Sequence, residues 1–77
     1  MNKVRRNRIA DVQSKLEELK AEIESICEEE QEAYDNMPEQ FQDSERGENI
    51  SEAIESLESA MYSFDELDEY LTDAAGH

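Results

Sequence analysis

The run NMPEQFQDSERG, Asn36 to Gly47, holds the only proline of the chain, Pro38, and one of its two glycines. It separates two long segments of helical pattern. Pro38 disfavours helical geometry at Met37 and suits the first turn of a new, short helix. The spacing therefore ends a first helix near Asn36, allows a turn of helix over 38–42, and starts a second long helix at Asp43 or Ser44. Gly47 falls in the first turn of that helix, where glycine is tolerated but weak. Asn49 with Glu52 offers a later capping box.

Upstream of the corner, the apolar residues Ile9, Val12, Leu16, Leu19, Ile23, Ile26, Ala33 and Met37 recur at alternating steps of three and four. With Ile9 at heptad position a, nine a and d positions run to Met37, and only Glu30 among them is polar. This is a coiled-coil seam. Asn2 is its N-cap candidate. Cys27 and Tyr34 lie at e, beside the seam. Downstream, Ile50, Ala53, Leu57, Ala60, Phe64, Leu67, Leu71 and Ala74 fill eight successive a and d positions, and Ile54, Met61 and Ala75 add apolar e positions. Gly76 and His77 form the C-terminal stop.

The expected fold is all-α: one domain, 1–77, built as an antiparallel helical hairpin with helices over about 3–36 and 44–75. The expected core is Ile9, Val12, Leu16, Leu19, Ile23, Ile26, Ile50, Leu57, Phe64, Leu67 and Leu71, with Phe41 plugging the end at the corner. A hairpin centred near residue 41 or 42 pairs positions whose numbers sum to roughly 83, given usual loop lengths. Ile26 then meets Leu57, Ile23 meets Ala60, and Leu16 meets Leu67. The same register carries Arg5, Arg6 and Arg8 to Glu69, Asp73 and the chain end, where they would neutralise acids at the far end of the second helix. So short a chain buries a modest core. The extra apolar e positions suggest a second copy completing a four-helix bundle, a homodimer.

The net charge is -15, from 22 acidic and seven basic residues. Six of the seven basic residues lie in positions 1–20; beyond them Arg46 stands alone among 19 acids. Such a body repels nucleic acid and anionic membranes and attracts basic protein surfaces. One cysteine excludes an internal disulfide. No apolar run is long enough to span a bilayer, and the basic start lacks the apolar segment of a secretory signal. A cytoplasmic location is the expectation.

Catalytic and metal-binding constellations are nearly absent, and no catalytic, cofactor or metal residue is assigned. The one histidine, His77, is terminal. Cys27, flanked by Glu24 and Glu28, is disfavoured as a thiolate and reads as a packing residue. The pairs Glu29/Glu32 and Glu52/Glu55 are reminiscent of the metal ligands of all-helical nucleotide pyrophosphatases. Similar pairs recur at Glu55/Glu58 and Glu66/Glu69 on solvent faces, so this is a remote alternative. No enzyme activity is expected.

The outer b, c and f positions carry the charge. Glu24, Glu28, Glu32 and Asp35 on the first helix, with Glu55, Glu58, Asp65, Glu66, Glu69 and Asp73 on the second, form a candidate partner-binding face, with Tyr62 as an aromatic anchor. Tyr70 is also outward. Acids four apart sit about 5–6 Å from each other and repel. Fifteen net charges along a helix of about 42 Å are one per about 3 Å, close to the one per 3.4 Å of a nucleic-acid strand. This favours a nucleic-acid mimic occupying the basic DNA- or RNA-binding surface of a nuclease. A structural or adaptor coiled coil with a solvated acidic face is the alternative.

The run EEEQEAYDNMPEQFQDSERGE (28–48), with MNKVRR at the start and EAIESLE (52–58) in the second helix, resembles small acidic proteins of phages and mobile elements of Gram-positive bacteria. The resemblance implies a bacterial host cell as the setting. It also implies a host-defence nuclease as the partner, as for anti-restriction or anti-CRISPR inhibitors. It brings no catalytic residues.

Overall fold

A computed structural model describes residues 1–77. Helix α1 spans Lys3–Asp35, a single turn α2 spans Glu39–Gln42, and α3 spans Glu45–Ala75. Helices α1 and α3 pack antiparallel. The rod measures 58 × 15 × 12 Å, and its radius of gyration of 17.5 Å compares with about 11–12 Å for a compact chain of this length.

Both long helices begin as their sequences require. The Asn2 side chain accepts from the Arg5 amide at 2.9 Å. Ser44, rather than Asp43 or Asn49, caps α3 and accepts from the Gly47 amide. Between them, the Gln42 side-chain amide donates to the carbonyls of Tyr34 and Met37, at 3.1 and 3.3 Å. It thereby supplies a donor to the Met37 carbonyl and a second one to the Tyr34 carbonyl, which also accepts from the Met37 amide. Gly47 is not merely tolerated. It is buried, and a Cβ there would lie 2.2 Å from the Gln42 carbonyl oxygen. The corner closes only because this position has no side chain.

The register follows the sequence pattern. Arg6 bonds to Ala75, Gln13 to Asp68 and Thr72, and Lys20 to Asp65. These partner numbers sum to 81–85, around the expected 83.

The rotation of the helices departs from the pattern. On α1, the residues withdrawn from solvent are Ile9, Gln13, Leu16, Lys20, Ile23, Cys27, Glu30 and Tyr34, which alternate a and e rather than a and d. Cys27 and Ile54, both at e, are each 8% exposed and are the only buried apolar side chains. The d residues Val12, Leu19, Ile26 and Leu67, expected in the core, are 43–51% exposed. Phe41, expected to plug the corner, is 51% exposed. The cause lies in α3, whose d positions are mostly small, Ala53, Ala60 and Ala74, while its e positions include Ile54 and Met61. On α3, tilting the seam toward e buries the larger side chains, and burial free energy scales with apolar area; on α1 it exchanges Val12, Leu19 and Ile26 for Cys27 and for Gln13 and Lys20, which bond across the edge. Ile9, Leu16, Ile23, Ile50, Leu57, Phe64 and Leu71 remain half-buried along the a row.

Candidate acidic interface

Folding the chain back redistributes its charge. Residues 1–20 lie beside 63–77 and form the open half of the rod. Residues 21–62 form the closed half, which contains the corner. The open half carries six basic and eight acidic residues, net -2; the closed half carries 14 acids and Arg46 alone, net -13. The rod is therefore not uniformly charged. Thirteen charges over about half of the 58 Å length are one per about 2.2 Å, between a nucleic-acid strand at about 3.4 Å and a duplex at about 1.7 Å.

Almost none of this charge is compensated within the fold. Every acid except the half-buried Glu30 is exposed. The single salt bridge, Lys20 Nζ to Asp65 Oδ1 at 2.6 Å, belongs to the open half. The hydrogen bond to Asp65, with the nearby carboxylates, raises the Lys20 pKa above its ordinary value. The arginines near the N-terminus do not pair with Glu69 and Asp73 as expected. Arg6 does reach the chain end, as expected: its Nε donates to the Ala75 carbonyl at 2.9 Å, and the Met1 ammonium donates to the His77 carbonyl. Positive groups there suit the negative end of the α3 dipole. Within α1 itself the charges run against the dipole, with basic residues at its start and no basic residue in its last turn.

Of the candidate face, Glu24, Glu28, Glu32, Asp35, Glu55 and Glu58 lie in the closed half. Asp65, Glu66, Glu69 and Asp73 lie in the open half, among the basic residues. Two groups thus separate where the sequence suggested one continuous face. Tyr62 stands at the boundary and Tyr70 in the open half, both 73% exposed. The pairs Glu29/Glu32 and Glu52/Glu55 do not converge, and no group of three or more His, Cys, Asp or Glu side chains is placed to hold a metal ion.

The sequence reading missed Gln13. Its amide donates to Asp68 Oδ1 at 3.1 Å and to Thr72 Oγ1 at 3.0 Å. With Lys20 and Asp65 it makes a polar clasp along the e edge of the open half. The signal was available: Gln13 and Asp68 are both e positions, which flank each other in an antiparallel pair.

No helix is long and apolar enough to cross a membrane. No family model matches the chain, and neither a curated protein nor a solved structure is significantly similar to it.

Proposed function

We propose that the closed half acts as a nucleic-acid mimic that occupies the basic DNA- or RNA-binding cleft of another protein, a nuclease of the host-defence kind. One observation carries this reading: 14 acids against Arg46, with no ion pair among them. Like charges held this close on a helix cost stability. A face kept only for solubility would more often mix signs. A basic cleft would instead release its counterions to these carboxylates, as it does to DNA. The half-rod suits such a cleft in shape, being narrow and, but for Arg46, of one sign. The resemblance to small acidic phage-encoded proteins fits the same setting.

The test is a binding titration against basic nucleases, such as restriction subunits and RNA-guided effectors, between 50 and 200 mM salt. Binding should fall steeply with salt, and DNA should compete. Reversing Glu24, Glu28 and Glu32 to Lys should abolish it; the same reversal at Asp65, Glu69 and Asp73 should weaken it far less. Salt-independent binding, or equal losses from the two triple variants, would refute the mimic.

A second reading, an adaptor coiled coil, draws on the exposed d row. The apolar e positions do not serve it, since Ile54 is buried and Met61 half-buried; the surface residues whose substitution would test it lie on the d row, Leu19 and Ile26.

A further inference from the structure

Helices that pack antiparallel flank e with e on one edge and d with d on the other. The hydrogen bonds of Arg6, Gln13 and Lys20 fix the e edge as the closed one. The opposite edge is therefore an open apolar strip of Val12, Leu19 and Ile26 from α1 and Leu67 from α3, floored by alanines. The total accessible surface is 6048 Å², against about 4,800 Å² for a compact monomer of this mass. The excess, about 1,200 Å², exceeds the roughly 800 Å² each partner loses in a standard interface.

We propose that a second copy of this chain covers the strip, α1 antiparallel on α1 and α3 antiparallel on α3, about a two-fold axis through Leu19. Charge selects this arrangement. A two-fold axis running along the helices would lay one closed half on the other, two bodies of -13 side by side. The axis across the helices lays each closed half on the open half of the other copy.

Side chains beside the strip select the register. The g positions of α1 flank the d row and read Arg8, Lys15, Glu22, Glu29, basic first and acidic last. Centred on Leu19, the pairing sets Lys15 against Glu22 and Arg8 against Glu29, each twice. In the d row Leu19 meets Leu19, and Val12 meets Ile26. A shift by one heptad would bring Glu22 onto Glu22 and leave Arg8 facing Asn36. The hairpin register carries the same axis to Ser63 and Phe64 of α3. There Leu67 falls opposite Ala60, large against small, and Ala53 opposite Ala74, where the two backbones can approach closely. The g residues of α3 are Asn49, Ser56, Ser63 and Tyr70, so none of its acids enters the interface. The b, c and f carboxylates stay outside. The dimer therefore stands or falls independently of what the acidic half binds.

Sedimentation equilibrium on the intact chain tests this. The expected mass is twice 8.9 kDa at micromolar concentration; a monomer at 100 µM would overturn the proposal. Leu19→Glu should give a monomer that keeps its helical circular dichroism, because the position is solvent-exposed in the single hairpin. A dimer undisturbed by it would place the interface elsewhere. Lys15→Glu and Glu22→Lys should each weaken association about tenfold, and the double swap should restore it. Restoration by Lys15→Glu with Glu29→Lys instead would overturn the register. If Leu19→Glu loses its helix, Leu19→Cys in a Cys27→Ser background decides. A disulfide-linked dimer should form on mild oxidation, and its absence would overturn the axis.

Discussion

The closed and open halves of this hairpin share one heptad pattern, yet they are held by different means. The closed half has the two buried apolar side chains, Cys27 and Ile54, the buried Gly47 and the Gln42 clasp on the end of α1. It has no ion pair and nearly all the net charge. The open half has no buried side chain, but it has the Lys20–Asp65 bridge, the Gln13 clasp and Arg6 on the α3 terminus. Apolar burial and a fitted corner hold the half that repels itself. Polar cross-links hold the half whose charges balance. The contrast separates what stabilises the molecule from what it presents to a partner.

The comparison breaks first at Gly47. Gly47→Ala puts a methyl group into the Gln42 backbone and should cost about 3 kcal/mol, read as a lowered urea midpoint. An unchanged midpoint would mean the corner does not hold the closed half. Gln42→Ala should cost about 1 kcal/mol by removing the side-chain donor from the Met37 carbonyl and one of the two donors from the Tyr34 carbonyl. Glu28→Gln should act in the opposite direction. It relieves repulsion from Glu24 and Glu32 and should stabilise by about 0.5 kcal/mol, with the gain shrinking as salt rises. A loss instead would show that Glu28 has a favourable partner.

The smallest effect should come from Lys20→Gln in the open half, because the bridge is exposed and screened. Its pH dependence gives the sign. Folding raises the Lys20 pKa above 10.5, so the contribution of the bridge is complete below that value and fades as pH rises through the raised folded value. Lys20→Gln and the parent should differ slightly at neutral pH and converge in strong alkali. A difference that grew with alkali would contradict the bridge.

Much of this was legible from the residues. Pro38 and the two heptad runs determine the hairpin, its ends and its register, because helix period and proline geometry are local properties. The partition of the seam was not legible. Val12, Leu19 and Ile26 read as core because they are apolar at d, and nothing local reveals that Ala53, Ala60 and Ala74, the d residues of α3 along the same edge, leave it open. Gly47 was underestimated for the same reason, since the carbonyl it accommodates is set by how α2 turns back.

By itself, the sequence determined two amphipathic helices, the corner between them and a total charge of -15. Only the tertiary structure decided where that charge sits. Antiparallel packing lays the basic start of α1 beside the acidic end of α3 and so concentrates the uncompensated carboxylates around the corner. It also decided which apolar row is covered, because a helix can turn only one edge to its neighbour, and here Ile54 and Met61 of α3 with the polar bonds of Gln13 and Lys20 close the e edge.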